Sequence, residues 1–328
     1  MLALLPPWLR RWGISLVSLA LGVFALFVFR RGMPHVAWIV GYLLLLWMLF
    51  AVLAELRTPL EQTGHAMMAR AADYTIQTLY HNLLLFVLPA YYASATFTSV
   101  NVLFLVGVAA GAVITAVDPL YSVLVRRYPS IVHAFLGFSI FAALNVALPL
   151  VGVPPIMALE GSAALAGLAL TPAFRRRGAV SWTRAHGAAM LLAVVAVVTV
   201  WYARVLVPPA PLFVTRAVAA RDVAGREPVD EIRGSVSAAT LAGWGGLVAY
   251  TAVRAPAGLR QAVAHVWRKD GAEIGRISLS PIEGGRPGGF RTFSRRTDLR
   301  PPLHGRYTVD VVTASGQLIG RLRFTVTP

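Results

Sequence analysis

The feature that most constrains this chain is a series of long apolar runs in residues 1–207, separated by short polar segments rich in arginine. About 20 apolar residues in a helix cross the ~30 Å hydrocarbon core of a bilayer, where every backbone polar group must be satisfied internally. Seven runs have that character: 13–29, 36–55, 76–97, 100–117, 131–151, 155–174 and 187–207. The first is too long for a signal-peptide core, and no small-x-small cleavage site follows it, so it is read as a retained span. Segment 56–75 is more polar and is expected to be a loop or surface helix. Segment 118–130, with Arg126 and Arg127, is expected to be a polar link. Composition agrees: 57% of residues are hydrophobic and 13% charged, where a soluble domain carries about 25% charged residues.

Arginine placement gives a topology. With the N-terminus in the cytoplasm, the inside segments hold Arg10, Arg11, Arg57, Arg70, Arg126, Arg127, Arg175, Arg176, Arg177 and Arg184, and the short outside loops hold only Arg30 and Arg31. Basic residues concentrate on the cytoplasmic side of membrane proteins. Seven spans then leave residues 208–328 outside the cytoplasm. The weakest separation is the turn 98–101, which is short and uncharged.

Beyond 207 the pattern changes. Pro208, Pro209 and Pro211 make a stiff spacer. Alternating segments follow at 247–254, 262–268, 273–279, 290–295, 306–312 and 318–326, with weaker ones near 213–220 and 234–239. Asp270-Gly271 between two alternating runs is a strong hairpin signal, and 313–317 marks a second hairpin. Seven or eight strands without a long amphipathic helix predict a small antiparallel, immunoglobulin-like sandwich. The expected organisation is a polytopic helical membrane domain over 1–207 and an all-β exoplasmic domain over 208–328.

Net charge is +16, from 30 basic and 14 acidic side chains. Basic residues sit at span ends in the first half and are scattered in the second, with no long run, so headgroup contact is favoured over nucleic acid. The absence of cysteine excludes disulfides, thiolate metal sites and a cysteine nucleophile. No P-loop, Gly-x-Ser-x-Gly, His-Glu-x-x-His or dinucleotide fingerprint is present. No cofactor is expected.

The strings HVWRKDG at 265–271, GGFRTFSRR at 288–296, GRYTVDVVT at 305–313 and GQLIGRLRFTV at 316–326 resemble the bacterial domain of unknown function 2914. Phe293 and Tyr307 depart from it, each standing where that family carries Trp. The multi-span half, joined through VPPAPLF, is similar to the membrane family of unknown function 5924, which precedes this tail. The resemblance implies the architecture and, with the arginine topology, a bacterial inner-membrane protein whose tail is periplasmic; it brings no activity.

Polar groups inside membrane spans are functional candidates by default. Asn145 and Glu160 flank the turn near Gly152 at similar depth, and Glu160, held by Asn145, is either a proton or cation site or a protonated or hydrogen-bonded structural residue near the outer interface. Gln77 and His81 share a helix face near the other leaflet, with Asp118 at about the same level and Glu55 and His133 at neighbouring helix ends. The bland reading of this second set is helix ends meeting headgroups, and no metal site is assigned. In the tail, Arg291 and Arg295 point to one face of a strand with Phe293 between them, as a solvated face or a headgroup or ligand contact. His265 and His304 lie in no nucleophile motif. Trp267 and Tyr250 are expected to be core aromatics.

The favoured function is a non-enzymatic envelope protein whose exoplasmic sandwich binds a partner protein, a glycan or a lipid headgroup. The alternatives are a transporter, flippase or channel using Glu160 and Asn145, and a membrane enzyme acting on lipid or cell-wall precursors. Oligomeric state is left open.

Overall fold

The computed structural model describes residues 36–62, 66–175 and 180–328. The chain divides into two compact units. One comprises Met1–Tyr92, Leu103–Leu148 and Met157–Ala203; the other comprises Ala93–Val102, Pro149–Ile156 and Arg204–Pro328. The first expected span, 13–29, lies outside the described residues, as do Arg10, Arg11, Arg30, Arg31, Arg176 and Arg177.

The first unit is helical: α1 Val36–Gln62, α2 Ala66–Ser94, α3 Val102–Ala116, α4 Asp118–Arg127, α5 Ile131–Leu150, α6 Pro155–Leu168, α7 Thr171–Arg175 and α8 Trp182–Tyr202. Among the described residues, three helical stretches are long and apolar enough to cross a membrane: Ile131–Leu150, Pro155–Arg175 and Trp182–Tyr202. A fourth is added if α3 and α4 count as one span bent by 98°. Of the other runs of the sequence, 13–29 lies outside the described residues and the side chains of 36–55 are described only over Ile39–Leu53, an apolar stretch, while α2 carries Gln77, His81 and Asn82 within its apolar stretch.

Segment 56–75, expected as a loop or a surface helix, is largely helical, continuing α1 to Gln62 and opening α2 at Ala66. The expected link 118–130 contains α4, which opens at Asp118 with a proline in its first turn and ends at Arg126 and Arg127. Proline at that position lacks only an N–H that would be unbonded anyway, and acid-first, base-last charge suits the helix dipole.

α8 shows how the helices pack. Ala185, Ala189 and Ala193 are buried at a four-residue spacing, while Met190, Leu191, Val194, Val195 and Val198 are exposed. That inverts the pattern of a helix in water, where large apolar side chains face inward. The small face permits close approach. A Cβ on Gly167 of α6 would lie 2.7 Å from Ala193 Cα. Gly167→Ala is therefore expected to cost about 1–3 kcal/mol by overpacking. Gly187→Ala, with nothing within 4 Å of its added Cβ, should cost nothing. Thermal unfolding of the two full-length variants in detergent checks the contrast.

The second unit carries eleven strands: β1 Phe213–Ala224, β2 Glu227–Ile232, β3 Ser235–Ser237, β4 Leu247–Arg254, β5 Arg260–Gln261, β6 Val263–Lys269, β7 Ala272–Ser278, β8 Ile282–Glu283, β9 Phe290–Arg296, β10 Gly305–Thr313 and β11 Leu318–Thr327. A four-stranded sheet has the order β2-β1-β4-β9, a five-stranded sheet the order β3-β11-β10-β6-β7, and β5 pairs with β8. All pairs are antiparallel except β3 with β11. The Asp-Gly hairpin forms as expected: Asp270 and Gly271 both take positive φ between β6 and β7, the geometry whose twist suits paired strands.

The two larger sheets share one core. Ala219, Leu247 and Ala249 from the first pack with Trp267, Tyr307, Val309, Leu322, Phe324 and Val326 from the second. Tyr307 and Phe324 stack at 5.2 Å. One strand, β2, carries no alternating pattern and is not among the expected strands. The strand expected near 234–239 forms as β3 over Ser235–Ser237 and runs directly into a short helix, α9 Ala238–Trp244, which Ser237 caps by accepting from Thr240 N at 3.0 Å.

Candidate functional site

In the helical unit, α2 lays polar groups along α3. Gln77 Nε2 donates to Asp118 Oδ1 at 2.7 Å and to Thr115 O at 3.0 Å; one turn on, His81 Nδ1 meets Ala112 O at 2.9 Å. Gln77 and Asp118 thus come together as their depths suggested. His133 packs edge-on against Phe50 at 5.7 Å. The side chain of Glu55 lies outside the described residues. Among those residues, no three of His, Asp and Glu come together as a metal site. Asn145 Nδ2 donates to Tyr91 Oη at 3.1 Å, and Tyr91 donates to Ala142 O at 2.8 Å. Asn145 is therefore held by Tyr91 rather than paired with Glu160, which is half-buried on α6. A cleft of about 650 Å³ opens beside Gln77, lined by Arg70, Asp73, Tyr74, Tyr121 and Arg126 among others.

On the outer face of the four-stranded sheet, Arg291, Phe293 and Arg295 alternate outward along β9, as the strand period requires. The arginines are compensated there. Arg291 Nη1 lies 2.6 Å from Glu227 Oε1, Arg295 pairs with Asp222, and Arg216 bridges Glu227 and Glu231 at 2.9 and 2.5 Å. The Val223 backbone N–H, with Arg295 beside it, holds the Asp222 carboxyl below its usual range. Phe293 remains 48% exposed between the two pairs.

The outer face of the five-stranded sheet is different. A groove of about 820 Å³ runs over β6, β10 and β11. Register places Val266, Asp310 and Arg321 side by side across three strands, with Arg268, Thr308 and Arg323 in the next row. Asp310, 3% exposed, is clamped by Arg268 and by Arg321, whose Nη2 donates to Oδ2 at 2.9 Å. The carboxylate in turn raises the Arg321 pKa, so this guanidinium stays charged. Arg321 Nη1 also donates to Thr98 O at 3.0 Å.

The turn at 93–102 is organised by Asn101, whose Oδ1 accepts from Thr96 N at 3.0 Å and whose Nδ2 donates to Leu318 O at 3.2 Å. Gln317 donates to Val207 O and Arg204 to Ser315 O, fixing the other rim. Exposed Arg276, Arg306 and Arg323 line the groove and make no ion pair among the described residues. Charge-assisted bonds from arginine suit carboxylate and phosphate oxygens, so the arrangement can hold an anion. One or two basic residues per strand give no local signal in the sequence, so these arginines become a group only through strand pairing.

Inside the sandwich, a polar network joins the sheets. His265 Nε2 meets Thr251 Oγ1 at 2.9 Å, His265 Nδ1 meets Ser294 Oγ at 2.8 Å, and Trp267 Nε1 donates to Ser294 Oγ at 2.9 Å. His265, outside any nucleophile motif, is thus bonded to a serine 29 residues away. Both are buried, at 0% and 3% exposure, so the pair is a core contact. Burial pushes the His265 pKa down to about 4.

No curated protein matches the chain. Residues 260–326 match the family model described as Protein of unknown function (DUF2914), which covers β6, β7, β9 and β10 and nearly all of β11. A second family model matches residues 3–248, running past the expected boundary at 207 through β1, β2, β3 and α9. Since that match takes in the helical unit and well over half the sequence, the chain belongs to the Family of unknown function (DUF5924).

Proposed function

We propose that this chain is a multi-span protein of the bacterial inner membrane that holds its β unit on the exoplasmic side as a non-enzymatic binding module for an acidic envelope ligand. The observation that carries the reading is the groove on the five-stranded sheet. Its buried carboxylate, Asp310, is already neutralised by two arginines, and Arg276, Arg306 and Arg323 outnumber the one exposed carboxylate of the lining, Asp270. On the other face of the sandwich, Arg216, Arg291 and Arg295 are balanced by Glu227, Glu231 and Asp222, and beside them Arg286 pairs with Glu283, which leaves Arg226 without an ion pair among the described residues.

The side of the membrane is supported by two independent lines. Arginine counting puts the turns near 98–101 and 152 on the same side as the tail. The same two segments, Ala93–Val102 and Pro149–Ile156, group with the tail in one compact unit. A C-terminal fusion at Pro328 is expected to give active alkaline phosphatase and a dark cytoplasm-only fluorescent protein. The reverse pattern would put the tail in the cytoplasm and end the envelope reading.

The binding claim is tested on full-length protein in neutral detergent against an anionic phospholipid, an acidic oligosaccharide and an acidic peptide. At least one should bind, and the triple variant Arg276→Gln/Arg306→Gln/Arg323→Gln should weaken it about a hundredfold, the scale of two or more lost charge-assisted bonds. Equal binding of all three ligands by wild type and variant would remove the groove from the account.

A further inference from the structure

Resting on that reading of the groove as an anion site, we infer that its ligand is an anionic phospholipid of the outer leaflet, with the phosphate on the arginines and the first part of the acyl region on an apolar floor.

The groove changes chemistry along its length. Outward positions of β10 run from Thr308 through Asp310 to Val312, about 13 Å at ~3.3 Å per residue. At the Thr308 end the neighbours are Arg268, Arg306 and Arg323. At the Val312 end they are Ala264, Val266 and Leu318, which with Val312 form an apolar cluster only 1–8% exposed; Val266, Val312 and Leu318 line the bottom of the groove. A site for a free anion or an acidic sugar has no use for a lined apolar end. An amphiphile with a charged head does.

The rim carries the same signature. Val100 and Val205 border the apolar end and are 52% and 45% exposed. Single exposed valines are ordinary, but two bordering one groove beside an apolar floor form a surface that favours hydrocarbon over water. Chain position adds a second argument. Val100 stands two residues before α3 begins, and Val205 three residues after α8 ends. The apolar rim is therefore made where the chain enters and leaves apolar helices, the level at which headgroups meet acyl chains.

Charge selects among lipids. Asp310 is spent on Arg268 and Arg321, so a phosphate diester meets Arg276, Arg306 and Arg323 against the single further carboxylate of the lining, Asp270. A zwitterionic headgroup would bring its own cation against them. A headgroup of the glycerol type, anionic and rich in hydroxyls, meets Thr308 and Thr325 as further donors and acceptors.

The test uses full-length protein in neutral detergent, titrated with short-chain phosphatidylglycerol and read by amide exchange in residues 305–327. Protection is expected with phosphatidylglycerol and not with phosphatidylcholine. Arg306→Gln/Arg323→Gln should weaken it about tenfold or more, as loss of charge-assisted bonds does. Val100→Ser/Val205→Ser should weaken phosphatidylglycerol but leave glycerol phosphate unchanged. Arg226→Gln/Arg286→Gln, on the other face, should change neither and controls for unspecific charge. Inorganic phosphate protecting as tightly as phosphatidylglycerol would overturn the inference in favour of a free-anion site. Binding of the acidic oligosaccharide alone would overturn it while leaving the proposed function intact. Failure of every acidic ligand would sink both.

Discussion

Trp267→Ala is expected to lower the unfolding free energy of the β unit by about 3–5 kcal/mol, the usual cost of truncating a buried tryptophan. Total stabilities of roughly 5–15 kcal/mol make that a loss of much of the margin. Trp267 is fully buried and packs with residues of both larger sheets, so a cavity there opens between them rather than at an edge. Its Nε1 also anchors Ser294 Oγ, the atom that holds His265. Trp267→Phe keeps most of the apolar area and loses one hydrogen bond, so about 1–2 kcal/mol is expected. Denaturant titration of the full-length protein, followed by amide exchange in β4, β6, β9 and β10, separates the two. Similar midpoints for Ala and Phe would show that the ring does not bridge the sheets as its contacts imply.

Trp267 was legible as a core residue because it alternates with Arg268 and Val266 on a strand closed by Asp-Gly, a purely local signal. The helices α5, α6 with α7, and α8 were legible for a similar reason: about twenty apolar residues leave few alternatives. The polar stretches were harder. The segment holding Arg70 and Asp73 could be a loop or a surface helix, because hydropathy marks where a helix is apolar, not where it stops. α4 had a usable signal, Asp118 followed by Pro119, which suits a helix start more than a link.

The tail failed at its edge. β2 is an edge strand of Glu227, Pro228 and further acids, mostly exposed, and it shows none of the apolar alternation that marks an interior strand. Missing it hid the partners of Arg216 and Arg291, so β9 looked more basic than it is. The groove was illegible for a deeper reason. Thr98 and Arg321 are 223 residues apart, and Arg268, Arg306 and Arg323 become one surface only through the pairing of β6, β10 and β11.

Acidification from pH 6.5 to pH 4 is expected to weaken the β unit by on the order of 3 kcal/mol through His265 alone. The ring is fully buried, its nitrogens face Thr251 and Ser294, and its neighbours in the network are neutral. The folded protein therefore keeps it uncharged down to about 4, whereas the unfolded chain protonates it near 6.5. Between those values the unfolded state binds the extra proton, so stability falls as pH falls, by about 1.4 kcal/mol per pH unit. Above 6.5 both states carry a neutral ring and this group contributes no slope. Asp222 and Asp298, whose carboxyls are held below their usual values, act in the same direction but only as pH drops beneath the carboxylate range, near or below 4. The window from 6.5 to about 4.5 thus belongs to the histidine among the described groups with displaced values. His265→Asn keeps polar contact with Thr251 or Ser294 but cannot titrate, so it should be less stable at pH 7 and lose far less on going to pH 5. Wild type should lose about 2 kcal/mol over that step. Denaturant unfolding of both full-length proteins at pH 7 and pH 5 reads the difference. Parallel losses in the two would mean that another group, and not the ring between the sheets, senses the proton.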